Sequence, residues 1–422
     1  MSIVHLKLKS KYLRIQFLGI SLHVKQGSLY RFIVKTILAF RMKKKIRRLQ
    51  QKDKIRVGFL VAESSKWGYQ SVFDAFASDS RFEPVIMTTK LAIEHKTGTT
   101  YYKTMADCKE FFKKKGMPVI SAYNEENNSY IPLNELDVDI VFYEQPWELA
   151  DCQHPIHVSK YAITCYSSYG FDLVAWNGAY KEDFHRFLDV YFTVSEANKD
   201  YILKVCKAAN NVCIVGNPKL DVFMNPINSE ESKKIIIYAP HHSFEKHSLN
   251  LATFQYNGQF ILDFAKKHAD KFYWCFKPHP RLKHALITNK IMTEEQVNAY
   301  YEQWNTIGEI CDGGDYFELF QKSAALITDC CSFLGEYLPT EKPVMHLINT
   351  KAQFNDVAKS FIGTYYQIYD NKQLLQEFER VLVKCDDYKK QDRLKKIGLI
   401  FDKNQRTADK IFCSINNMIG GV

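Results

Sequence analysis

No two of the eleven cysteines stand three residues apart, so the paired spacing of a zinc ribbon or a redox dithiol is missing. Their odd number fits a reducing compartment better than a disulfide framework. Cys165, Cys213 and Cys275 lie inside apolar strand-like runs and are expected to be free thiols acting as small buried hydrophobes. No stretch reaches the roughly eighteen uninterrupted apolar residues of a spanning helix, and the start has no short apolar core followed by a cleavage site. The expectation is a chain that is neither exported nor embedded in a bilayer. A P-loop signature is absent, and no G-x-G-x-x-G follows the first strand, which removes the main support for kinase and dehydrogenase readings. There is no internal repeat.

What is present is an ordinary globular composition, with 46% hydrophobic and 25% charged residues over a length of 422. That length exceeds what one core usually supports, so two domains are expected. The net charge of +10 is unevenly placed. Residues 1–56 hold sixteen Lys or Arg against a single acid, Asp53, while the remaining 366 hold 41 basic and 46 acidic side chains. Between Ser28 and Arg48 bulky apolar residues recur at spacings of three and four among the basic ones, which predicts a helix. Such a helix suits the headgroup region of an anionic membrane. A helix packed on the protein with a solvated basic edge is the alternative, and nucleic acid is disfavoured because the aromatics sit in the apolar stripe.

Beyond this basic extension, residues 1–54, near-continuous apolar runs read as buried parallel strands at 55–62, 82–88, 118–122, 139–144, 161–166 and 190–194. Helical or loop segments separate most of them, which suggests a Rossmann-like domain over residues 55–220. A stretch rich in Asn, Pro, Ser and charge, 216–234, reads as a linker. A second α/β pattern covers residues 221–390, with strands at 235–239, 272–276, 324–328 and 344–348. Residues 391–422 read as a C-terminal helix packing back across the domains. Two Rossmann-like halves define the α/β GT-B architecture, in which ligands meet in a central cleft.

Three strand ends of the second half carry the chemistry. Tyr238-Ala-Pro240-His241-His242-Ser243 closes one strand, and Lys277-Pro278-His279-Pro280 closes another, with prolines on both sides fixing the direction of the imidazole. The third runs from Thr328 through Asp329, Cys330, Cys331 and Ser332 to Glu336, where small polar residues open a helix whose amides suit a phosphate. Its alternative is a plain cap, with Asp329 or Ser332 bonding the helix's own first amides. All three should open on one edge of one sheet.

The order Tyr-Ala-Pro, Lys-Pro-His-Pro, Ile-Thr-Asp-x-x-Ser and Lys342-Pro343-Val344, over about residues 234–350, resembles the donor half of the CDP-glycerol glycerophosphotransferase family, which makes teichoic acids and related capsules. The resemblance implies a GT-B fold, a CDP-alditol donor and diphosphate contacts from His279, Asp329 and Ser332. Lys277, His241 and Cys331 are expected to line the same donor site, with Glu336 toward the ribose, and His242 and His279 are expected to act in catalysis. No motif requires a metal, although Mg²⁺ would travel with a diphosphate. The chain departs from the family at Cys330-Cys331, where a hydroxyl donor becomes a thiol. It also lacks the Trp-His-Gly-Thr-Pro segment whose histidine is the expected base; the corresponding region, 163–172, holds no histidine.

Glu63, at the end of the first strand, is therefore the candidate base, its alternative being a pair with Lys66 or a helix cap. Trp67, Tyr69, Tyr143, Trp147 and Tyr169 are candidate acceptor contacts, with core packing as their alternative. The resulting expectation is a glycerol phosphate transferase acting on a glycan or lipid-linked acceptor. It would be cytoplasmic and peripheral on the inner face of the bacterial membrane. A GT-B glycosyltransferase using a UDP- or CMP-sugar and a non-catalytic membrane adaptor stay open as rivals.

Overall fold

The computed structural model describes residues 4–8, 12–17, 20–25, 27–98, 105–171, 173–175, 183–206, 212–227, 233–244, 249–311 and 316–420. The chain divides into two compact units. One comprises residues 1–169, 177–219 and 405–422; the other comprises 170–176 and 220–404.

The first unit begins with a three-stranded antiparallel sheet, β1 (Val4–Leu8), β2 (Tyr12–Phe17) and β3 (Ile20–Lys25), that periodicity had not revealed. Its register sets Leu6 opposite Ile15 and Ile15 opposite Leu22, while Lys7 stands opposite Arg14 and Arg14 opposite His23. Helix α1 (Ser28–Leu49) follows, as the spacing predicts.

Helix α1 is packed on the unit through Tyr30, Val34, Leu38, Met42 and Leu49, which matches the packed-helix alternative on that side. Lys45 is buried there, and its ammonium donates to the Asp189 carboxylate and to the carbonyls of Ser159 and Ala162. Arg48 and Lys52 both reach the buried carboxylate of Asp139.

Strands β4 (Ile55–Val61), β5 (Phe82–Thr88) and β6 (Val119–Ser121) are followed by a small ribbon of β7 (Tyr123–Asn124) and β8 (Ser129–Tyr130). Strands β9 (Ile140–Tyr143), β10 (Ile163–Ser167), β11 (Val190–Thr193) and β12 (Val212–Ile214) complete a seven-stranded parallel sheet in the order β12-β11-β10-β9-β4-β5-β6. Burial on both faces explains why its central strands are almost wholly apolar.

The second unit holds a six-stranded parallel sheet in the order β15-β14-β13-β16-β17-β18. Its strands are β13 (Lys234–Ala239), β14 (Phe272–Phe276), β15 (Gly308–Ile310), β16 (Ala325–Thr328), β17 (Val344–Leu347) and β18 (Tyr366–Ile368). Helices Phe254–Lys267 and Glu294–Asn305 cover it, burying Ile261, Leu262, Val297 and Trp304.

Two expectations are corrected here. The C-terminal segment is two helices: Lys390–Ile397 belongs to the second unit, and Thr407–Met418 belongs to the first, where Ala408, Ile411 and Ile415 join the core under β4. Cys275 is not a free thiol, because neighbouring parallel strands bring its sulfur against that of Cys311, with Cα atoms 6.4 Å apart. Cys165 is buried and free as expected, and Cys213 is half-buried. No helix among the described residues is long and apolar enough to cross a membrane.

Candidate active site

In the second unit β14, β13 and β16 are neighbours, so the three motif-bearing loops leave adjacent strand ends. Backbone bonds hold them together: the His279 N–H donates to the Pro240 carbonyl at 3.0 Å and the Lys277 N–H to the Tyr238 carbonyl at 2.8 Å. Asp329 makes the tightest link. One carboxylate oxygen accepts the His241 N–H at 2.5 Å, and the other accepts the Thr253 N–H at 2.6 Å and its hydroxyl at 2.8 Å. Burial pushes the Asp329 carboxyl up to about 6, against the pull of these hydrogen bonds. The expected diphosphate contact is thus corrected. Asp329 is a buried brace whose oxygens already accept from the protein, and it would in any case repel an anion.

His241, His242 and His279 converge at these strand ends. Ring centroids are 4.4 Å apart for His241 and His242, 4.0 Å for His242 and His279, and 4.9 Å for His241 and His279. One ring nitrogen of each lies within 4.8 Å of the others. Their surroundings decide what such a cluster can bind. His241 Nδ1 accepts the Ser243 N–H at 3.2 Å and lies 2.8 Å from the Ser243 hydroxyl, whose oxygen takes the Leu251 N–H. His279 Nδ1 accepts the Arg281 N–H at 3.1 Å. A neutral imidazole that accepts at Nδ1 carries its proton on Nε2.

Both rings therefore present Nε2–H donors, which suits phosphate oxygens. A metal would need the opposite tautomer, with Nδ1–H donating to a second partner. Burial, followed by the neighbouring His241 and His242, holds the His279 pKa well below the usual imidazole value, which keeps the ring neutral before a ligand arrives.

Lys277 is largely buried, with its ammonium 4.7 Å from the centre of the Tyr316 ring and 3.3 Å from the Cys311 carbonyl. The Tyr316 hydroxyl donates to Glu336 at 2.6 Å. Glu336 is buried at that contact. The helix Cys331–Glu336 has only six residues, and no side chain caps it, so neither the Asp329 nor the Ser332 cap forms. Cys331 stays a thiol, because burial pushes its pKa up to about 12. Ser332 is half-buried beside it.

In the first unit Glu63 is buried, and its Oε1 takes the Lys66 ammonium at 2.7 Å, which is the pairing alternative. Lys66 also donates to the Gln145 side chain at 2.6 Å. Glu144 directly follows β9, the strand next to β4. Its Oε2 accepts the N–H groups of Ala62 and Glu63 at 3.0 and 3.1 Å. Burial pushes its carboxyl up to about 8, opposed by Lys66 and assisted by Glu63. The other oxygen of each carboxyl is buried without a hydrogen-bond partner among the described residues.

The five aromatic candidates separate by burial and by ring packing. The Tyr69 hydroxyl donates toward the carbonyls of Tyr143 and Ser167, each at 2.9 Å, and the Tyr143 hydroxyl donates to Gln153, so both are core side chains and not acceptor contacts. Trp67 packs edge-on against Phe59 and Phe112 and is likewise a packing residue. Trp147 and Tyr169 remain half-exposed with ring centres 5.7 Å apart. The Lys66 ammonium lies 5.6 Å from the first ring and 5.9 Å from the second, and Lys219, which sequence reasoning missed, lies 5.6 Å from Tyr169. Asp172, at the end of the segment aligned with the family's histidine, lies outside the described residues.

Two parallel Rossmann-like sheets, each with its motifs at the C-terminal strand ends, define the GT-B class of nucleotide-dependent enzymes. The chain belongs to the CDP-glycerol:poly(glycerophosphate) glycerophosphotransferase family, whose model matches residues 160–409, and is an enzyme of that transferase type with a CDP-glycerol donor. Among solved structures it resembles a CDPG-soaked variant of the wall teichoic acid polymerase TagF, at 13% identity and a TM-score of 0.57 over 93% of this chain and 99% of that one. It also resembles UDP-GlcNAc 2-epimerase from Neisseria meningitidis, at 13% identity and 0.51 over 86% and 100%. S. aureus MnaA with UDP gives 10% and 0.54 over 87% and 98%. At these identities the structures support the fold. Comparison with curated proteins gives no match.

Proposed function

We propose that this enzyme transfers glycerol phosphate from CDP-glycerol to a hydroxyl at the end of a teichoic-acid-type surface glycan, at the anionic inner face of the cytoplasmic membrane. The observation that carries the donor half is the convergence of His241, His242 and His279, two of them with Nε2–H donors, on neighbouring strand ends of a family member.

In this reading the acceptor oxygen attacks the phosphorus that bears glycerol. The bond to the bridging oxygen breaks, and CMP leaves with the electron pair. The His241 and His279 donors, with Lys277, hold the diphosphate and stabilise the charge that gathers on CMP. His242 assists, Ser332 contributes a hydroxyl, and Asp329 sets the loops. Any Mg²⁺ would be carried by the diphosphate itself, since both oxygens of Asp329 are taken and these two imidazoles offer N–H groups. Trp147 and Tyr169, flanked by Lys66 and Lys219, are the acceptor contacts. The acceptor proton passes to Glu63, whose Oε1 is paired with the Lys66 ammonium.

Calorimetry with CDP, CMP, UDP and CDP-glycerol tests the donor assignment, and product analysis tests the bond. Preference for CDP-glycerol, lost in His279→Ala, with a phosphodiester product is the expected result. A UDP preference with a glycoside product would place the enzyme among the glycosyltransferases instead.

A further inference from the structure

Helix α1 has two opposed apolar faces, and only one is used by the fold. The inner face carries Tyr30, Val34, Leu38, Met42 and Leu49, all buried. On the opposite side Leu29, Phe32 and Phe40 are 61%, 69% and 72% exposed, and the two phenylalanines are the most exposed large apolar side chains among the described residues. Lys43, Lys44 and Arg47 continue that side toward the C-terminus, all exposed. At 3.6 residues per turn, Leu29, Phe32, Phe40, Lys43 and Arg47 fall within an arc of about 80° over a length of about 27 Å. The helix contains no Asp or Glu.

We propose that this outer face of α1 is the surface by which the enzyme lies on an anionic lipid bilayer, with Phe32 and Phe40 inserted at the headgroup boundary and the Lys43–Arg47 turn paired with lipid phosphates. The inference rests on the membrane reading above and names the surface that carries it. The placement is rigid: the buried Lys45–Asp189 pair and the Arg48 and Lys52 contacts to Asp139 hold the helix to the unit, so the outer face is presented without a folding step. Charge selects the occupant. A stretch of sixteen basic residues against one acid repels a second copy of itself and attracts anionic lipid.

The test is co-sedimentation of the full chain with vesicles of phosphatidylglycerol and phosphatidylcholine, against phosphatidylcholine alone. Two variants are compared, Phe32→Ser with Phe40→Ser, and Lys43→Glu with Lys44→Glu. The wild type binds the anionic vesicles, and added salt weakens binding. Each variant lowers the partition by about tenfold or more, with CDP-glycerol binding and the thermal midpoint unchanged because the altered side chains face solvent. Wild-type binding matched by both variants would overturn the assignment of this face while leaving membrane attachment standing. No wild-type binding to anionic vesicles would overturn both.

Discussion

One oxygen of the Asp329 carboxylate accepts the backbone N–H of His241 at 2.5 Å, across a separation of 88 residues. The other oxygen accepts twice from Thr253, so every described bond at this side chain is one that it receives. Asn at 329 would turn an amide N–H toward another N–H at one of these places. Leaving a buried group unsatisfied costs about 1–3 kcal/mol. Asp329→Asn is expected to lose that much stability in denaturant unfolding and to weaken CDP-glycerol binding, because the loop that carries His241 loses its brace. Unchanged binding together with unchanged stability would refute the brace.

His279 acts in this reading as a neutral N–H donor. Glutamine carries an N–H that does not titrate, so His279→Gln should retain part of the donor affinity that His279→Ala loses. A hydrogen bond to a charged group contributes about 1.5–3 kcal/mol, so alanine should weaken CDP-glycerol binding roughly tenfold to a hundredfold in calorimetry. Equal losses in the two variants would point to the ring's shape or charge and away from hydrogen-bond donation.

Glu144 gives a pH dependence with a definite sign. Its folded carboxyl titrates near 8, and an ordinary one near 4.5. Between those values the folded state keeps a proton that the unfolded state has released. Its contribution to stability therefore falls as pH rises through the window, by up to about 1.4 kcal/mol per unit. Glu144→Gln resembles the protonated form and can still accept the Ala62 and Glu63 N–H groups. Unfolding free energy measured against pH should be flatter in the variant than in the wild type, and parallel curves would show that Glu144 is ionised throughout.

Lys45 is buried against Asp189, and burial lowers the lysine pKa and raises that of the aspartate, each partly offset by the partner's charge. Lys45→Met leaves the Asp189 charge without its cation and should cost about 3–5 kcal/mol in chemical denaturation. Adding Asp189→Asn should recover part of that loss, and additive losses would show that the two groups are not coupled. Removing residues 1–50 is expected to destabilise the first unit for the same reason, so lipid binding is better tested on the outer face of α1.

The sheet strands that cross the middle of each unit were legible because burial on both faces demands a nearly unbroken apolar run. Ile55–Val61 and Phe272–Phe276 lie almost where the pattern puts them. Short edge strands such as Val212–Ile214 and Gly308–Ile310 were not legible, because three residues carry too little pattern. The antiparallel strands before α1 also alternate apolar and polar residues, but a period of two over five or six residues is a weak signal in so basic a segment.

By itself the sequence determined two parallel α/β sheets, the three motifs at strand ends and the family they indicate, since these depend on local periodicity and spacing. Tertiary structure alone decided which candidate side chains are buried with partners and which stay accessible. Tyr69 and Tyr143 have the same composition cues as Tyr169, yet burial and hydroxyl partners take the first two into the core and leave the third at the surface. Asp329 looked like a ligand contact until His241 and Thr253, distant in sequence, filled both of its oxygens. The physical reason is the same in each case: a polar atom's function depends on which partners the fold brings to it, and those partners come from other strands.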